Sequence, residues 1–237
     1  MGEVLDSVPK DSPTVALPLA LWGSGYADFL PRWWSGVQSL QRQPDEIVIV
    51  TDSANWQAAW DSIPAGMKNA SVVNCNATEY ADFWNIAIQL TTSDWFAICN
   101  VDDLFLPEAL NDIDEADRQG CNLITDRIQD LDGGEVSNSR WNGENIGKAW
   151  TMVGAEPMRR DLFIAAGGFP RGQRFADWAL AMRAYKVGVR AFDSDIIRII
   201  YDRGLTRKTV SSILNGPEVL SKGYESLTRL AKELDLL

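Results

Sequence analysis

The sequence predicts an α/β fold built on a single, mainly parallel sheet with helices on both faces. Short apolar runs such as EIVIV at 46–50 have the unbroken hydrophobicity of strands buried on both sides. These runs alternate with stretches of helical periodicity, the order that βαβ units impose. With 237 residues and 46% apolar content, the chain can bury a substantial core. Residues 1–13 are polar and acidic and read as a flexible terminus; 14–237 read as one domain, divided into 14–125, 126–216 and a C-terminal helix at 217–237.

The first strand falls at 14–21 (TVALPLAL), where Pro18 removes a ladder donor and argues against a central position. The loop behind it holds Gly23 and Gly25, but Asp28 stands where a dinucleotide-binding loop needs its third glycine. Phe29, Leu30, Trp33, Trp34, Val37 and Leu40 recur at helical spacing and predict an aromatic face packed on the sheet. A strand at 46–50, a helix around 54–62 and a short strand at 71–75 make the next step, followed by a helix at 80–90. The run 95–99 reads as a buried strand. Pro107 at a first helical position, Leu110, Ile113 and Ala116 on one face, and Gly120 past the end predict a helix.

A strand at 122–125 precedes a stretch, 126–150, that is rich in Gly, Asn and Ser and lacks periodicity. Stretches of this kind are usually lids, binding loops or disordered segments, so Trp141 and Trp150 are candidate ligand contacts, with packing under the loop as the alternative. Periodicity then predicts a helix at 158–166 closed by Gly167 and Gly168. A second helix carries Trp178, Ala181, Met182 and Tyr185 in one stripe before Gly188. Strands at 189–192 and 196–200, a basic segment at 203–208 and an amphipathic helix from Pro217 complete the chain.

The formal charge of −11, spread along the chain, argues against a general polyanion-binding surface. Cys75, Cys99 and Cys121 are odd in number and sit in or beside apolar runs, which suits free thiols of a reducing compartment. Histidine is absent, which excludes imidazole catalysis and His-ligated zinc. No secretory segment or membrane-length apolar run is visible, so a soluble, cytoplasmic protein is expected.

Chemistry is expected at the carboxyl ends of the strands, where open α/β sheets bind ligands. At 100–103 the buried run breaks into Asn-Val-Asp-Asp. Two adjacent carboxylates raise each other's pKa unless a cation or donor intervenes, and the natural cation is a divalent metal with oxygen ligands. The alternative is a turn whose acids complement the following helix dipole. Asp52 ends the preceding strand in the same way and could equally cap a helix; Asp177, in the first turn of the Trp178 helix, could simply complement its dipole.

Four segments, in order, resemble glycosyltransferase family 2, nucleotide-sugar-dependent enzymes of GT-A fold: EIVIVTDSA, NIAIQLTTSDWFAICNVDD, MRRDLFIAAGGFP and FADWALAMRAYKVG. The resemblance covers about residues 15–201. It implies a nucleotide-binding half at 14–125 and an acceptor-side half at 126–216. It further implies donor contacts from Asp52, Asn85, Asn100, Asp102 and Asp103, a Mn²⁺ or Mg²⁺ ion held by Asp102 and Asp103, and Asp177 as the general base. Trp141, Trp150 and Trp178 become acceptor contacts. The implied reaction moves a sugar, with inversion, from a nucleotide-diphosphate donor, UDP-sugar favoured, to a hydroxyl of a saccharide, a protein or a modified nucleic-acid base. The chain departs from the family's pattern at Asn100, where the motif's first acid usually stands, at Ala176, where an acid usually precedes the base, and at Trp84, where a basic residue is common. Two alternatives stand beside this reading. One is a binding module that kept the fold and lost catalysis. The other is a sugar-phosphate nucleotidyltransferase, which would need a basic phosphate loop that 22–28 lacks.

Overall fold

In the computed structural model, residues 12–23, 25–125, 127–131, 137–138, 141, 146–147, 156–202 and 217–237 are described. Their strands are β1 (Val15–Leu21), β2 (Glu46–Thr51), β3 (Ala70–Asn74), β4 (Trp95–Phe96), β5 (Leu104–Phe105), β6 (Leu123–Ile124), β7 (Arg127–Asp130), β8 (Ser137–Asn138), β9 (Met158–Arg159), β10 (Ala191–Phe192) and β11 (Ile197–Tyr201). The helices are α1 (Leu30–Ser39), α2 (Trp56–Asp61), α3 (Tyr80–Leu90), α4 (Ile113–Arg118), α5 (Arg160–Ala165), α6 (Ala176–Val187) and α7 (Pro217–Glu233). A seven-stranded sheet runs β10-β6-β9-β4-β1-β2-β3, parallel except for β9, which is antiparallel to both neighbours. This is the mainly parallel sheet with flanking helices that the sequence predicts. No helix among the described residues is long and apolar enough to cross a membrane.

Pro18 does sit in a central strand, and its place explains why that is tolerated. In β1 the even-numbered residues turn their peptide groups toward β4: Trp95 and Ala97 donate their N–H groups to the carbonyls of Thr14 and Ala16. Pro18 is next in that series and has no N–H to give. The ladder between β1 and β4 ends there, and the chain leaves the sheet after Ala97 to form the acidic turn. On its other side β1 pairs with β2 through Leu21. The run 95–99 is therefore buried throughout but paired as a strand only at Trp95–Phe96.

Two further expectations are corrected. Residues 107–112 form successive turns, and the helix begins only at Ile113. Arg198, fully buried, reaches these turns: its Nη2 donates to Asp112 at 2.7 Å and its Nη1 donates to the Ala109 carbonyl. A helix there would have taken that carbonyl for its own ladder. Met158 and Arg159 form β9 rather than helix, bridging β4 and β6, so α5 starts at Arg160.

A second sheet, β5-β11-β7-β8, lies under α1. Gly36 of α1 allows the approach, since a Cβ there would lie 2.9 Å from Leu104 Cδ1 and 3.0 Å from the Phe105 nitrogen. The β5–β11 pair is antiparallel, with Ile200 opposite Leu104. Continued by two residues, that register brings Asp202 beside the acidic turn.

Candidate active site

The acidic turn is held by a chain of hydrogen bonds. Trp33 Nε1 donates to the Cys99 carbonyl at 3.1 Å and fixes the point where the strand ends. The Asn100 side chain accepts from the Tyr80 hydroxyl at 2.7 Å and donates to Asp103 Oδ2 at 3.0 Å. Asp103 Oδ1 accepts the Asp202 backbone N–H at 3.0 Å. Asn100, an amide where an acid would add to Asp102, Asp103 and Asp202, thus supplies a donor to a neighbouring carboxylate and keeps a fourth negative charge out of this corner.

Electrostatics divide the two aspartates. Asp103 is fully buried, and burial together with the Asp102 charge pushes its pKa up to about 7, against the opposing pull of the Asp202 N–H and Asn100. Asp102 is half-buried; burial raises its pKa, Asp202 adds to that, and Arg32 opposes it. Arg32, in the first turns of α1, pairs with Asp202 at 3.3 Å. With both Asp103 oxygens taken from inside, Asp102 is the carboxylate of this pair that is open to a ligand.

A metal was expected on Asp102 and Asp103. Among the described residues no group of three or more Cys, Asp or Glu side chains is arranged to hold one. A closed protein cage is not what Mg²⁺ requires, however, because it commonly binds through one or two carboxylates plus substrate phosphates. Asp102, in surroundings that disfavour its negative charge, suits that kind of site; Asp103 is buried with its oxygens accepting from Asn100 and the Asp202 N–H.

Asp52 stands at the carboxyl end of β2, as expected, and stitches two loops together. Its Oδ2 accepts the Gly23 N–H at 3.1 Å; its Oδ1 accepts from the Asn55 backbone and side chain at 3.0 and 2.8 Å. It therefore closes the turn that leads into α2 and leaves lone-pair capacity on Oδ2 for one further donor. Asn85, expected at the donor, has its amide engaged elsewhere. Its Nδ2 donates to the Phe169 carbonyl and its Oδ1 accepts the Phe169 N–H, both at 2.8 Å.

Asp177 sits at the start of α6 and lines a narrow crevice with Phe96, Ile98, Glu156, Phe169 and Leu180. Burial lifts its pKa to about 6, although the backbone N–H groups of Asp177 and Trp178 pull the other way. Asp102 is not a wall of this crevice. The two acids are nonetheless linked by one segment: Ile98 touches the Asp177 crevice, and Asn100 opens the acidic turn two residues later, roughly 7 Å along an extended chain.

Trp178 is 7% exposed, donates its Nε1 to the Ile146 carbonyl at 2.7 Å and packs edge-on to Tyr224, so its indole is a packing element. Trp141 lies against Tyr185 of α6 at 6.3 Å between ring centres. Trp150 falls outside the described residues. Asp202, Tyr80, Arg32 and Glu156 were not singled out from the sequence. Asp202 carries a readable signal, an acid directly after the apolar run IIRIIY, the pattern that marked Asp52 and Asp102. The other three are single residues on helices or, for Glu156, in irregular chain before β9, with no such pattern.

No family model matches the sequence, and no curated protein matches it. Solved structures do match in fold. A crystal structure of residues 1–349 of TarS from S. aureus in complex with UDP-GlcNAc superposes with a TM-score of 0.72 at 15% identity, over 93% of this chain and 66% of that one. The same protein with UDP gives 0.68 at 14% identity, over 94% and 65%. Without ligand it gives 0.65 at 15% identity, over 80% and 60%. The chain thus spans somewhat less than two thirds of the length of these structures, and its fold is that of GT-A-like glycosyltransferases.

Proposed function

We propose that this protein is a glycosyltransferase of the family 2 type that moves a sugar from a nucleotide-diphosphate donor, UDP-sugar favoured, to an acceptor hydroxyl with inversion at the anomeric carbon. The observation that carries the reading is that one short stretch leaving β4 lines the Asp177 crevice at Ile98 and carries Asp102 in the acidic turn four residues later. This occurs in a fold shared with a protein solved with UDP-GlcNAc bound.

The chemistry follows from the residues. Asp177, deprotonated above pH 6, accepts the proton of the acceptor hydroxyl as its oxygen attacks the anomeric carbon. The bond from that carbon to the diphosphate oxygen breaks, and the nucleoside diphosphate leaves with the bonding pair. Asp102 would hold a Mg²⁺ or Mn²⁺ ion together with the diphosphate, and the ion would supply charge stabilisation to the leaving group. Asp52 and the Gly23 turn beside it form the floor for the base, Asn100 keeps the acidic turn in register, and Trp141 is the remaining described candidate for contact with the acceptor.

A screen of UDP-, GDP- and dTDP-sugars in Mn²⁺ or Mg²⁺, reading release of the free nucleotide, tests this. Release from a UDP-sugar that is lost in Asp177→Asn supports it; absence of release from every donor, with or without candidate acceptors, refutes it.

A further inference from the structure

Three side chains at three-residue spacing on one side of α3 grip a single turn. Glu79, the residue before α3, accepts the Gly172 N–H through Oε2 at 2.6 Å. Asp82 accepts from Arg171 Nη2 at 2.6 Å. Asn85 makes the two 2.8 Å bonds to both backbone groups of Phe169. Residues three apart on a helix share a face, so 79, 82 and 85 form a ladder along it.

The turn is shaped to receive that ladder. Gly167 and Gly168 close α5, the Gly168 N–H bonding back to the Phe163 carbonyl in a Schellman arrangement. Such a motif asks for glycine at the first of the two positions and favours an apolar side chain at the second. Here the second is also glycine, with φ of +68° and a Cβ position that would fall 2.6 Å from Asn85 Oδ1. The absent side chain is what lets the Asn85 amide reach the backbone.

We propose that Asn85 is a positioning residue of the transfer reaction: with Asp82 and Glu79 it locks the 168–172 turn so that Phe169 walls the crevice holding the Asp177 carboxyl. Phe169 touches that crevice and stacks edge-on to Phe163 at 5.5 Å, which in turn meets Phe96 of β4 at 5.4 Å. The same helix sends Tyr80 to Asn100 at the acidic turn. Helix α3 therefore sets the acceptor-side wall and the donor-side turn against one rigid rod. The role in catalysis rests on the proposed transferase reading; the locking of the turn does not.

The test uses the full chain with Asn85→Ala, and Asp82→Ala as a second variant that removes an outer rung. Amide hydrogen exchange should show the Phe169 and Gly172 N–H groups losing protection at least tenfold in Asn85→Ala and by a smaller factor in Asp82→Ala. Carbon-detected titration of the Asp177 carboxyl should show its midpoint falling from about 6 toward the ordinary value near 4 as water enters the crevice. Glu156 is the other titratable group lining that crevice and is followed in the same spectra. In turnover with a UDP-sugar, kcat should fall tenfold or more while the Kd for UDP stays within twofold. Unchanged protection at Phe169, or an Asp177 midpoint that does not move, overturns the proposal. So does a tenfold loss of UDP affinity with Asp177 unmoved, which would make Asn85 a donor contact. If the wild-type protein transfers no sugar, the functional reading falls, while exchange and titration still decide the proposal. If Asn85→Ala does not fold, Asp82→Ala decides by the same two readouts.

Discussion

Replacing Asp103 by Asn should make the protein more stable, and more so as pH rises. Asp103 is buried beside Asp102, and its pKa moves from 3.8 to about 7 on folding. At about 1.4 kcal/mol per unit, the folded state carries roughly 4 kcal/mol of unfavourable energy once this group ionises. The sign follows from linkage. A carboxyl whose folded pKa is raised binds more protons in the native state than in the unfolded state between those two values. Stability therefore falls as pH climbs from about 4 to about 7 and stays level above.

The amide variant removes this dependence and can keep the hydrogen bonds. The Asp202 N–H still meets an oxygen, the Asn100 amide flips to accept from the new NH₂, and the Tyr80 hydroxyl rotates to accept from Asn100. Exchanging charge-assisted bonds for neutral ones costs about 1 kcal/mol. The net expectation is a gain near zero at pH 5 and of about 2–3 kcal/mol at pH 8. Because Asp103 and Asp102 titrate together, the gain belongs to the pair. Urea unfolding followed by circular dichroism at the two pH values, wild type against variant, measures it; Asp177 titrates in both proteins and cancels. A variant equally stable or less stable than wild type at pH 8, or a difference independent of pH, would refute the reasoning.

Other consequences follow from the same geometry. The rate of sugar transfer under kcat/KM conditions should rise about tenfold per pH unit up to about 6, where Asp177 loses its proton, and then level off. Asp177→Asn should abolish this limb and lower the rate by about 10²–10⁴-fold with UDP affinity retained. Gly36→Ala should destabilise the protein by about 1–3 kcal/mol in urea unfolding, because its methyl group meets the Leu104 side chain and the Phe105 backbone between α1 and β5.

What was readable in the sequence was governed by local pattern. The runs at β1, β2 and β3, the helix α3 and the long helices α6 and α7 all carry a period that survives without tertiary context. The acids at the ends of β2 and of the 95–99 run could be placed because strand ends in such sheets are predictable. What escaped depended on distant partners. Met158 and Arg159 have the composition of the helix behind them and become strand only because β4 and β6 flank them. Turns replace helix at 107–112, where Arg198, about ninety residues later, takes the Ala109 carbonyl. The second sheet was not anticipated because β5 and β8 are two residues each.

The site divides along the same line. Asp52, Asp102 and Asp177 stand at the predicted element ends. Asp103 belongs to the same motif, yet whether it faces ligand or interior was decided by Asp202 arriving from β11. Asn85 was expected at the donor, and the partner its amide holds, the Phe169 backbone, lies 84 residues away and left no local trace. Trp178 shows the converse, since a tryptophan beside a candidate base reads as a ligand platform until its indole N–H is found on the Ile146 carbonyl.

Asp102 is proposed to serve a nucleoside diphosphate and its cation. Calorimetric titration of UDP into the protein in Mn²⁺ tests it most directly, repeated with EDTA and with Asp102→Ala. Saturable binding in Mn²⁺ that weakens at least tenfold in both controls is expected. UDP binding that is indifferent to metal and to Asp102, or no binding under any of the three conditions, would contradict it.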